Sequence, residues 1–85
     1  LTYCRQESVM IMQKDSRLLL GQRVRSLRKS KNLSQEELAR ISHVDRTYIT
    51  SLENGHRNVS ILLIQKICEG LGVSLKAFFN DELFQ

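Results

Sequence analysis

The chain has 85 residues, enough for one small domain and one modest core. Apolar residues make up 41% of it, and no stretch approaches the roughly 18 consecutive apolar residues that a membrane span needs. A net charge of +4 favours a polyanionic partner such as nucleic acid or an acidic membrane.

Residues 1–14, LTYCRQESVMIMQK, show no clear periodicity. They are read as an N-terminal extension to a domain at 15–85, flexible or partly vector-derived, with Met10 or Met12 as candidate start codons. Arg5 and Glu7 stand before a short apolar patch that runs into Gln13, Lys14 and Asp15, which is not the shape of a signal peptide. A cytoplasmic location and no membrane partner are therefore expected. Cys4 and Cys68 are too few and too far apart for a disulfide framework or a CxxC metal site. Cys68 falls on an apolar helical face and reads as a buried thiol.

The first helix is expected over 16–31. Leu20, Val24 and Leu27 recur at i, i+4, i+7 and form its inward stripe. Arg17, Arg23, Arg25, Arg28, Lys29 and Lys31 crowd the other faces and read mostly as solvated charge. Arg28 stands apart, because it lies near the helix end facing the next motif, where Glu53 can pair with it. Asn32 tolerates left-handed backbone and can end the helix.

The stretch 35–53, QEELARISHVDRTYITSLE, is the strongest pattern in the chain. Ser34 followed by Glu37 three residues later is a capping box for a helix over 35–42. His43 and Val44 make a tight turn. Asp45 caps a helix over 45–53 by accepting from its free N–H groups. Leu38, Ala39, Val44, Ile49 and Leu52 turn inward, while Arg46, Thr47, Thr50 and Ser51 stay on the outer face. Two helices across a short turn, with hydrogen-bonding side chains displayed by the second, predict a helix-turn-helix.

Asn54-Gly55 marks a turn, and His56, Arg57 and Asn58 extend it with hydrogen-bond donors. Ser60 caps a fourth helix running to about residue 70, with Ile61, Ile64, Ile67, Cys68 and Leu71 inward. Leu62 and Leu63 are surplus apolar residues that suggest a second buried contact. Gly72 gives the next connector its freedom, and Ser74 caps a fifth helix. Leu75, Phe78, Phe79 and Leu83 keep helical spacing there, and Phe84 extends the apolar tail. Such a tail exceeds what a short helix buries in a small core. It is either a fully intramolecular cap or a dimer interface formed by Phe78, Leu83 and Phe84, and the dimer is the preferred reading. With no proline, four glycines and little strand-like alternation, the fold class is all-α with five helices.

Residues 20–79, from LGQRVRSLRKSKNLSQEELARIS through HVDRTYITSLENGHRNVS to ILLIQKICEGLGVSLKAFF, resemble the Cro/C1-type (Xre-type) helix-turn-helix domains of bacterial and phage regulators. Within that family, DRTYI and SLENG-x-RNVS are most similar to the controller proteins of restriction–modification systems. The resemblance implies a compact lambda-repressor-like domain and a dimeric regulator that binds a pseudo-palindromic operator. Double-stranded DNA, a second copy of the chain and RNA polymerase are the partners it implies. It implies base contacts from Arg46, Thr47 and Tyr48, which Thr50 and Ser51 on the same outer face would join, and phosphate contacts from Gln35, Asn54 and Arg57, which the donor Asn58 in the same loop would join. It also implies a buried Arg28–Glu53 pair tying the first helix to the third. Two positions depart from the family pattern. His43 stands where glycine is usual, at a site that commonly needs positive φ, and Val59 stands where proline usually follows the loop.

Arg46 suits base reading because its forked donors can meet guanine O6 and N7 together. An arginine in a first helical turn also opposes the helix dipole, so a plain structural role does not account for it. Enzymatic readings lack support: GxSxG, HExxH and Gly-rich phosphate loops are all missing, and neither His43 nor His56 has a partner at metal-ligand spacing. No metal or cofactor is expected. The alternative class is an antitoxin or similar interaction module whose C-terminal apolar surface binds a partner protein. RNA binding is disfavoured by the lack of aromatic platforms for unstacked bases.

Overall fold

The computed structural model describes residues 15–84. Five α-helices follow in order: α1 Ser16–Ser30, α2 Gln35–Ser42, α3 Arg46–Glu53, α4 Ile61–Leu71 and α5 Leu75–Phe79. A 3-10 turn, Glu82–Phe84, ends the described chain, and no strand occurs among the described residues. The expected five-helix, all-α fold is what forms. The expectations for residues 1–14, Cys4 included, lie outside the described residues.

Every helix starts on a side chain that accepts from its free N–H groups. Asp15 accepts from the Arg17 N–H at 2.9 Å, and Ser60 and Ser74 accept from Leu63 and Ala77 at 3.2 and 3.0 Å. Asp45 accepts more loosely from Thr47, at 3.4 Å. Ser34 and Glu37 form the reciprocal capping box, at 3.0 and 2.8 Å. The Ser34 N–H donating to its carboxylate holds Glu37 below the usual carboxylate range. The Arg17 guanidinium beside Asp15 holds that carboxyl at about 2.

Helix ends share a second device. Asn32, His43, Gly55 and Gly72 all have φ between 58° and 78°. After each, the next N–H turns back to a carbonyl five residues earlier: Leu33 to Arg28, Val44 to Ala39, His56 to Ser51, Val73 to Cys68, at 2.9–3.1 Å. These are Schellman-type endings, and they satisfy carbonyls that a helix terminus would otherwise leave open. His43 takes the left-handed conformation in full, at φ 59°, ψ 43°. The turn keeps the glycine geometry without the glycine.

The core sits where α1 and α2 pack on α3 and α4 packs on α2. Val24, Leu38, Ile49, Leu52, Ile67 and Phe78 are completely enclosed, and Ala39, Ile64, Cys68 and Leu71 complete the cluster. Burial pushes the Cys68 thiol up. Two expectations fail here. Phe78, assigned above to a subunit interface, is the largest fully enclosed side chain of the monomer's own core. Ile61, assigned to the inner face of α4, is 58% exposed, and its neighbour Leu62 is 70% exposed. They occupy the first turn of α4, which projects past the core that Ile64 enters one turn later.

The C-terminal helix is also shorter than its spacing implied. It stops at Phe79, with Asn80 as C-cap, and Leu83 and Phe84 belong to the separate 3-10 turn. Arg23 holds this arm in place. Its Nε donates to the Phe78 carbonyl at 2.7 Å, one terminal nitrogen donates to the Ala77 carbonyl at 2.9 Å, and the other meets the Asp81 carboxylate at 2.8 Å. An arginine read as solvated charge is thus a three-point clamp across α1 and α5.

Gly21 lets α1 cross α3 at backbone contact. A Cβ there would lie 2.3 Å from the Leu52 carbonyl oxygen and 2.9 Å from that of Glu53. Helix propensity alone would favour alanine over glycine by about 1 kcal/mol. Overpacking against backbone that cannot swing aside costs about 1–3 kcal/mol or more, so Gly21→Ala should lower the melting temperature. A melting temperature at or above wild type would show that the crossing relaxes freely.

Candidate nucleic-acid interface

The site is built on a polar network beneath α3. Arg28, from α1, donates to both Glu53 oxygens, at 2.7 and 3.0 Å. Its remaining terminal nitrogen donates to the Leu33 carbonyl at 2.8 Å. Arg28 and Glu53 are 8% and 7% exposed, so the pair is almost fully removed from water. The Glu53 carboxylate keeps the Arg28 pKa above its ordinary value. Gln35, the first residue of α2, donates from Nε2 to Glu53 at 3.1 Å and accepts the Thr50 hydroxyl at its Oε1, at 2.9 Å. One chain of hydrogen bonds therefore links α1, the α1–α2 connector, α2 and α3.

With its inner face tied down, α3 presents its other face outward. Arg46 and Thr47 open it and are exposed, and Ser51 is half-buried one turn on. Tyr48 is half-buried, and the Arg57 guanidinium lies 4.7 Å above its ring centroid. That is a cation–π distance, and it draws the α3–α4 loop over the helix start. Asn54, Arg57 and Asn58 are exposed along this loop. The result is a convex helix carrying a forked cation at its N-terminus, flanked by a second cation and amide groups. Such a set can read base edges with Arg46 and neutralise phosphate with Arg57.

Two residues sit differently from the outward roles expected of them. Thr50 turns toward Gln35 and is half-buried, with its hydroxyl also 3.2 Å from the carbonyl of Arg46. Gln35 uses its oxygen and one amide hydrogen internally, so only the second amide hydrogen is left for an outside acceptor. The link between Gln35 and Thr50 went unread in the sequence. Its only trace there is the presence of an amide at the start of one helix and a hydroxyl in the middle of the next. Among the described residues, no group of three or more His, Cys, Asp or Glu side chains could hold a metal ion.

Residues 24–78 match the family model HTH_3, helix-turn-helix. The chain is 46% identical over 68 residues to the control protein C.MunI of Mycoplasma sp, covering 79% of this chain and 92% of that one. It is 52% identical over 66 residues to the control protein C.BamHI of Bacillus amyloliquefaciens, covering 76% and 82%. Among solved structures it is similar to the restriction–modification controller protein C.Esp1396I, a tetramer in complex with its natural 35 base-pair operator. That similarity has a TM-score of 0.72 at 36% identity, over 74% of this chain and 83% of that one.

Removing Glu53 would leave the Arg28 charge buried and unpaired, and Gln35 without its acceptor. Glu53→Ala should therefore cost about 3–5 kcal/mol. Chemical denaturation measures this directly, and a loss below about 1 kcal/mol would put the pair in the class of exposed, inconsequential bridges.

Proposed function

The chain belongs to the HTH_3 helix-turn-helix family, and we propose that it is a sequence-specific DNA-binding transcriptional regulator of the restriction–modification controller type. It binds a pseudo-palindromic operator as a homodimer. The observation that carries this reading is the rigid seating of α3 by the Arg28–Glu53–Gln35 network, with Arg46 and Thr47 left exposed at its leading end. A net charge of +4 supports the same polyanionic partner. Arg46 reads a base edge, helped by Thr47, Tyr48 and Ser51, while Asn54, Arg57 and Asn58 hold the phosphates. Such a regulator works beside the DNA in the cytoplasm and acts on RNA polymerase at its promoter. It is a binding protein and not a catalyst.

The subunit contact we propose is the C-terminal arm without Phe78. Phe79 is 39% exposed, its ring centroid 4.9 Å from that of Phe78 and 5.2 Å from that of Phe84. Leu83 and Phe84 are half-buried beside it. A second copy would cover what remains open of this aromatic face. Two α3 helices related by that dyad would enter successive major grooves about 34 Å apart.

Two measurements test the reading. Arg46→Ala and Arg57→Ala should be titrated on operator selected from a random duplex pool and on scrambled duplex, across a salt series. Arg46→Ala should lose roughly 1–3 kcal/mol on the selected duplex and relax preference at one position per half-site. Arg57→Ala should weaken both duplexes and lower the salt slope by about one unit. Equal losses on both duplexes for Arg46→Ala would remove it as the base reader, and no preference by wild type would remove the regulator reading itself. Separately, Phe84→Asp should shift the sedimentation of the protein toward monomer at micromolar concentration, because it places a charge in an apolar contact. Unchanged sedimentation excludes Phe84 from the interface.

A further inference from the structure

We infer that Thr50 is a positioning residue for DNA recognition, acting through Gln35, and not a reader of bases. The role rests on operator binding by α3. Its basis is the polarity of the hydrogen-bond chain. Glu53 is acceptor-only and already holds Arg28 at 2.7 and 3.0 Å, so the Gln35 amide must turn its nitrogen to Glu53, as it does at 3.1 Å. That leaves Gln35 Oε1 facing α3, where it needs a donor. The Thr50 hydroxyl supplies one at 2.9 Å, a shorter contact than its 3.2 Å approach to the Arg46 carbonyl in its own helix. A hydroxyl has one proton, and the Gln35 contact claims it.

Three consequences follow for recognition. The Thr50 proton is turned inward, away from any base edge. The Gln35 side chain is held at both ends, so its second amide hydrogen has a fixed direction at the first residue of α2. The rotation of α3 about its own axis is fixed at Thr50, one turn beyond Arg46, and with it the angle at which Arg46 leaves the surface. Arg28, Glu53, Gln35 and Thr50 thus form a strut from the buried ion pair to the middle of the recognition helix.

The experiment compares Thr50→Val, which keeps the shape and removes the hydroxyl, with Thr50→Ser, which keeps the hydroxyl. Affinity is measured on the selected duplex and on a panel carrying each single base-pair change, and the Thr50→Val, Gln35→Ala double variant completes a cycle. Thr50→Val should bind the selected duplex roughly fivefold more weakly, about the value of one neutral hydrogen bond, with the ranking of the panel unchanged. Thr50→Ser should restore most of that loss. In the Gln35→Ala background, Thr50→Val should add little, since the two residues act as one unit. Relaxed preference at a single position would make Thr50 a base reader and overturn the proposal, and so would additive losses in the cycle. Wild type failing to discriminate within the panel would instead overturn operator recognition as a whole, a result distinct from either.

Discussion

The fold depends on one ion pair. Taking Arg28 and Glu53 out of water costs several kcal/mol per charge, and their attraction repays this only if geometry is good and every remaining donor is met. Here each condition is satisfied by a different element. Arg28 belongs to α1, the Leu33 carbonyl to the connector, Gln35 to α2 and Glu53 to the last turn of α3. Displacing any one of them strands a buried charge or leaves a polar group without its partner. The pair therefore acts less as a source of net stability than as a condition on how three helices are arranged. An apolar contact at the same place would tolerate sliding, whereas a bidentate one does not.

Steric constraint complements this electrostatic one. Gly21 brings α1 against the carbonyls of Leu52 and Glu53, at the end of α3 that carries the buried carboxylate. Gly70 plays a similar part between α4 and α2, where a Cβ would meet the Ser42 hydroxyl at 2.3 Å. That hydroxyl is buried with no hydrogen-bond partner among the described residues. The joint between α2 and α4 is packed so closely that a polar atom is enclosed there without a partner, although such a group is costly to bury.

What was legible in the sequence was local. Serine and aspartate caps, the apolar spacing of Leu38, Ala39, Ile49 and Leu52, and the turn residues at 32, 43, 55 and 72 each act within a few positions, and the first four helices start and stop within a residue or so of where they indicate, while α5 starts on its cap but stops short. The Arg28–Glu53 pair spans 25 residues, yet it could be anticipated because α1 and α3 must meet in a helix-turn-helix of this family. Other features had no local trace. Periodicity marks Phe78 as apolar but is silent on whether the core or a second subunit covers it. The same limit applies to Ile61, whose spacing to Ile64 is helical although its turn lies beyond the core. Arg23 resembles its neighbours Arg17 and Arg25 in every local respect. Only the return of the chain at Ala77–Asp81 distinguishes it, and that return is a property of the tertiary structure.

The reach of Arg23 sets an order of events during synthesis. Its acceptors at Phe78 and Asp81 lie 55 and 58 residues further along the chain. At roughly 5–20 residues per second, they are made about 3–12 s after Arg23 itself. For that interval the nascent chain holds α1, and in time all of α2 and α3, while the guanidinium destined for the C-terminal arm remains in solvent. A chain that stopped before Ala77 would carry the whole helix-turn-helix but neither the Arg23 acceptors nor Phe78 to close the core. Closure of the hydrophobic core therefore waits for Phe78, and the helix-turn-helix gains its full support only after the chain has been made past Asp81.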